Sequence, residues 1–86
     1  VTAVKMRLRP TRRPVEQRVH PGRDWFFVLE GRVVLHLGDR QVAVESGEAA
    51  EFDTMTPHAI SAVGGVAEVV MLFDREGQRV HVHAGT

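Results

Sequence analysis

The sequence predicts an all-β barrel or sandwich, on three observations. Helical periodicity is missing along all 86 residues. Short apolar or alternating runs recur about every ten residues, and each ends at Gly, Pro or Asp with recognisable turn chemistry.

The expected strands follow in order from those breaks. Ala3–Leu8 stops before the stretch from Pro10 to Pro14. Val15–His20 runs to Pro21-Gly22, and Asp24–Glu30 runs to Gly31. Arg32–Leu37 ends at Gly38-Asp39, and Arg40–Val44 at Ser46-Gly47. Glu48–Phe52 leads into the turn from Thr54 to Pro57. His58–Val63 ends at Gly64-Gly65, and Val66–Phe73 before Arg75 to Gly77. A last strand is expected at Gln78–His83. Val33, Leu35 and Leu37 share one face, opposite Arg32, Val34 and His36, and Val42 and Val44 repeat the alternation. Two runs, Trp25–Leu29 and Val69–Phe73, are apolar on both faces, so both faces need cover. In a chain this short a second subunit is the expected cover, which predicts a homodimer.

Size and composition narrow the function classes. One small domain, residues 1–86, is expected, burying roughly 60–65% of the surface its unfolded chain exposes. The absence of cysteine excludes disulfides and thiolate metal sites. No apolar run approaches the ~20 residues that span a bilayer, so no membrane partner is expected and the expected location is cytoplasmic. Net charge is zero but uneven. Residues 1–23 hold seven basic side chains against Glu16, a balance of +6, and the remainder carries −6. No aromatic residues interleave with those arginines, so a basic edge segment pairing with acidic strands is preferred to a nucleic-acid surface. The initial valine admits an excised domain, a processed chain or a GTG start.

The chemistry gathers around "RVHPGRDWFFVLEG", residues 18–31. His20 and Asp24 flank Pro21-Gly22-Arg23. A three-residue hairpin loop would make them cross-strand partners, whereas a two-residue loop would send Asp24 to the opposite face. His58, after Pro57, opens its own strand. Two histidines and a carboxylate are the protein ligands of a facial-triad iron site, and similar sets bind zinc or manganese. His81 and His83, two apart, could chelate a metal but read better as a solvated strand end. His36 faces outward or toward a subunit, and Trp25 anchors its strand. No serine has a nucleophile context, and no second carboxylate near Asp24 suits two-acid hydrolysis.

These residues resemble the cupin superfamily. His20, Asp24 and Gly31 keep the positions of the second histidine, the glutamate and the glycine of its first motif. "GEAAEFDTMTPH", Gly47 to His58, has the length of the second motif. The likeness covers residues 15–73 and implies a double-stranded β-helix, or jelly-roll, barrel. Arg18 stands where the first metal histidine belongs, and Asp24, Asp53, Met55 and Ala62 also depart from the pattern. Arginine cannot ligate a metal, because it stays protonated. No cofactor is therefore the primary expectation. The alternative is a divalent zinc, iron, manganese or nickel ion on His20, Asp24 and His58.

"VLEGRVVLHLGD", "GEAAEFDT" and "PHAI" further resemble the cupin domain C-terminal to a helix-turn-helix module in bacterial transcription regulators. That implies a domain binding a small-molecule effector, with DNA a partner only through helices outside this sequence. The expected pocket is His20, Asp24, Phe26, Val33, Leu35, Phe52, His58 and Ile60, with no catalytic residue. The alternative is a small metal-dependent cupin enzyme of the isomerase or dioxygenase type.

Overall fold

The computed structural model describes residues 2–13 and 15–73. Those residues form seven strands and no helix: β1 (Thr2–Leu8), β2 (Arg23–Glu30), β3 (Arg32–Leu37), β4 (Arg40–Glu45), β5 (Ala49–Asp53), β6 (His58–Ala62) and β7 (Ala67–Phe73). They make a four-stranded sheet in the order β1-β7-β2-β5 and a three-stranded sheet in the order β4-β3-β6. Neighbouring strands pair antiparallel.

The connections explain why the chain alternates between sheets. Gly31 is the one-residue corner from β2 into β3, with φ +85° and an ideal Cβ only 2.8 Å from the Val66 carbonyl oxygen. A side chain fits neither the angle nor the space. Gly38, at φ +61°, leads the two-residue turn joining β3 to β4, the glycine-first form whose twist suits a hairpin.

Side-chain alternation then sorts each strand into an inner and an outer face. Asp24, Phe26 and Val28 are buried along β2, Val33 and Leu35 along β3, and Val69 and Met71 along β7. With Val44, Phe52, Ala62 and Ala67 all of these but Asp24 form one apolar core drawn from both sheets. Burying each large member contributes about 1.5–3 kcal/mol relative to exposure.

On the outer face of the four-stranded sheet, Trp25 and Phe27 are half-buried and stacked, centroids 6.3 Å apart. Their β7 partners in register are Leu72 and Val70, also half-buried. The second apolar face expected from sequence is real, and the described residues leave it half-buried.

The basic N-terminal segment pairs as a sheet edge. Lys5 and Arg7 on β1 approach Glu68 on β7 at 3.8 and 3.4 Å, and Arg23 meets Glu51 at 3.2 Å.

One strand expectation is corrected. Residues 15–20 form no strand, only an isolated antiparallel bridge between Arg18 and His58. Val19 is 52% exposed and Val15 is exposed too, so the apolar positions of that run find no core to face. The expected strand Gln78–His83, with His81 and His83, lies outside the described residues.

Candidate metal centre

Three elements converge at one end of the sandwich. Asp24 occupies the first inward position of β2, in line with Phe26 and Val28. His58 opens β6 on the inward face it shares with Ile60 and Ala62. One ligand candidate thus comes from each sheet. His20 arrives from the segment preceding β2, where its backbone N–H donates to the Thr54 carbonyl at 3.0 Å.

Thr54 staples this arrangement. It is fully buried, its Oγ1 donates to the Gly22 carbonyl at 2.6 Å, and its backbone N–H donates to the same oxygen at 3.1 Å. The β5–β6 turn therefore grips the loop between His20 and Asp24 on both sides. This positioning residue was not singled out in the sequence. A threonine in a turn carries no local mark of a bond reaching back to residue 22.

His20, Asp24 and His58 each offer a ligand atom, and these atoms all lie within 4.8 Å of one another. His20 Nε2 stands 3.8 Å from Asp24 Oδ2, and the two imidazole rings meet edge-on at 5.1 Å. Asp24 is 3% exposed and His58 9%. His58 Nδ1 lies 2.9 Å from the Thr56 carbonyl, and His20 Nδ1 lies 3.4 Å from the Pro21 carbonyl. With each Nδ1–H donating to a backbone carbonyl, each Nε2 keeps its lone pair for a metal, as ligating histidines commonly do.

The donor set fits a divalent ion. Ligands about 2.1 Å from an ion stand about 3.0 Å apart in cis-octahedral and about 3.4 Å apart in tetrahedral geometry. The observed 3.8 Å between His20 and Asp24 is near that range, and a set spread over as much as 4.8 Å would draw in by up to about 1–2 Å on binding. A bound cation would also answer the cost of a carboxylate held this far from water.

Of the other residues expected at the pocket, Phe26, Val33, Leu35 and Phe52 are buried and Ile60 packs against them. Phe52 touches the site directly, its ring 5.0 Å from that of His58. His36 lies apart on the outer face of the three-stranded sheet, its Nε2 2.9 Å from Ser61 Oγ.

An antiparallel two-sheet barrel with two histidines and a carboxylate at one end defines a class of small β-barrel proteins with a metal-capable mouth. The chain belongs to the cupin domain family, whose model matches residues 4–74. Among solved structures it is similar to HppE in its FeII form with substrate, at TM-score 0.74 and 19% identity, covering 84% of this chain and 44% of that one. It is also similar to an uncharacterised conserved protein with a double-stranded β-helix domain from Klebsiella pneumoniae, at TM-score 0.72 and 22% identity, covering 87% and 66%. An HTH_3 family transcriptional regulator from Vibrio cholerae matches at TM-score 0.66 and 18% identity, covering 85% and 43%. At these identities the likeness is one of fold. The chain spans less than half the length of HppE and of the regulator. No curated protein matches it. Among the described residues no helix is long and apolar enough to cross a membrane.

Proposed function

We propose that this chain is a small-molecule-binding cupin domain whose site is built on a divalent metal ion held by His20, Asp24 and His58. The convergence of those three donors within 4.8 Å, two of them buried, carries the reading. It supports an ion in place of the metal-free pocket expected from the loss of the first motif histidine. Three protein ligands leave coordination positions for a ligand's oxygen or nitrogen. His20 and His58 would hold the ion through Nε2 and Asp24 through its carboxylate, while Phe52 walls the site with apolar surface.

The role proposed for this binding is effector sensing in a bacterial transcription regulator, with DNA contacted by a helix-turn-helix module outside this sequence. The fold shared with the Vibrio cholerae regulator supports it. The same three-donor set also supports a second reading, a small metal-dependent isomerase or dioxygenase. We further infer that a second copy of the chain covers Trp25, Phe27, Val70 and Leu72.

Metal titration into dialysed protein, followed by calorimetry and elemental analysis, tests the site. One manganese, cobalt or zinc ion per chain is expected, and no binding would overturn the reading. A thermal-shift screen of small organic compounds on the metal-loaded protein then separates the two roles. An effector at a hundredfold its Kd adds about 2.7 kcal/mol of stability and is recovered unchanged, whereas a substrate is converted.

A further inference from the structure

Arg18 stands beside the metal-capable cluster in a way the proposed metal site does not use. Its backbone N–H donates to the His58 carbonyl at 2.9 Å, and the His58 N–H donates to the Arg18 carbonyl at 3.0 Å. Two residues exchanging both bonds are directly opposite in an antiparallel pair, and their side chains leave on the same face with Cβ atoms about 5 Å apart. The imidazole of His58 turns from that face to meet His20 and Phe52. His20 lies two residues beyond Arg18, and its N–H bonds the Thr54 carbonyl, in the turn before His58. Arg18 is therefore the cross-strand partner of one ligand candidate and stands two residues before another.

Its charge is also available. Arg18 is exposed, and among the described residues its guanidinium joins no ion pair, whereas Lys5, Arg7, Arg23 and Arg32 each reach a glutamate. A guanidinium cannot ligate the ion, because all its nitrogens are donors and it stays protonated. It can hold an oxyanion through two parallel N–H···O bonds.

We infer that Arg18 is the anion anchor of this site, and that its ligand is a small organic molecule bearing a carboxylate or phosphonate group. The inference rests on the proposed metal site. Two neutral histidines, one carboxylate and a divalent ion leave a single positive charge, and Arg18 raises the local charge to about +2. An anion reaching the open coordination positions meets both cations. A sugar gains nothing from the guanidinium, and an amine is repelled.

The test compares wild type with Arg18→Gln and Arg18→Lys. Each protein is first titrated with CoCl2, then the cobalt-loaded protein with propionate, methylphosphonate and the neutral propionamide. Binding is read by calorimetry and by the visible Co(II) spectrum. All three proteins should bind one Co(II) with similar affinity and melt at similar temperatures, since the Arg18 bonds to His58 are backbone bonds.

Propionate or methylphosphonate should bind wild type about tenfold or more tightly than Arg18→Gln, the loss expected for a charged hydrogen-bond partner. Arg18→Lys should fall between them, keeping charge without the bidentate fork. Propionamide should bind more weakly and not distinguish the proteins. The stronger of the two anions identifies the head group. Equal anion affinity in wild type and Arg18→Gln, or propionamide binding as tightly as propionate, overturns the inference while leaving the metal site standing. Failure of wild type to take up Co(II) overturns the metal site and the inference with it.

Discussion

Thr54→Val tests whether one buried hydroxyl sets the geometry of the whole site. The substitution keeps the branched shape of a fully buried residue and removes the 2.6 Å bond from Oγ1 to the Gly22 carbonyl. That carbonyl is not orphaned, because the Thr54 backbone N–H still reaches it at 3.1 Å. The cost is therefore the net worth of one intramolecular hydrogen bond, about 0.5–1.5 kcal/mol, without the larger penalty of a stranded buried acceptor. In a domain of this size each 1 kcal/mol lowers Tm by about 4–8 °C. Urea denaturation followed through Trp25, the only tryptophan, measures the loss directly. Metal affinity should fall as well, because the loop from His20 to Asp24 loses one of its three hydrogen bonds to Thr54. Thr54→Ser, which keeps the hydroxyl, should recover most of the affinity. A Thr54→Val protein as stable as wild type, with unchanged metal affinity, would refute the argument that this bond positions the ligands.

Removing a ligand should abolish the site without unfolding the chain. His58→Ala and Asp24→Asn are each expected to lose stoichiometric metal by elemental analysis after dialysis, with strand content by circular dichroism retained. Gly31→Ala should cost about 2–5 kcal/mol in urea denaturation. A non-glycine residue at φ +85° loses about 1–2 kcal/mol, and a Cβ 2.8 Å from the Val66 carbonyl adds about 1–3 kcal/mol of overpacking. Phe27→Glu, on the outer face opposite Val70, should convert a dimer of the wild type to monomer in sedimentation. A wild-type monomer at micromolar concentration would refute the dimer.

Much of the barrel was legible because strands such as β3 and β4 alternate between a dry and a wetter face. The alternation of Val33, Leu35 and Leu37 against Arg32, Val34 and His36 gave β3 its bounds. Gly31 and Gly38-Asp39 marked both its ends, since each is a place where the backbone needs glycine. The run from Val15 to His20 misled for the same reason. Val15 and Val19 fall on one side of a strand with Gln17 between them, a broken pattern that cannot say whether a core lies opposite. Here the neighbours are the start of β6 and the Thr54 carbonyl, enough for a bridge at Arg18 and one bond at His20. The site was half legible. Residue types and spacing nominated His20, Asp24 and His58, but the choice between hairpin loops was open in the sequence. The structure resolves the spatial question by another route. Asp24 pairs with Phe52 and Phe73 in the sheet, and His20 is brought to it by Thr54, 34 positions along the chain, a bond no local pattern announces.

The position of Asp24 links the site to the rest of the barrel. It belongs to the four-stranded sheet and His58 to the three-stranded sheet, so anything that draws both toward one centre pulls the two sheets together at this end. The next residue after Asp24 is Trp25, which faces the opposite way and stacks with Phe27 on the outer surface. A strand in a close-packed sandwich moves as a unit more easily than it bends. A displacement of Asp24 on metal binding would therefore reach the Trp25–Phe27 surface through a single peptide unit. In a sensor, occupancy must alter a surface that a partner can read. This barrel has its metal-capable end and its open apolar face on the two sides of one strand.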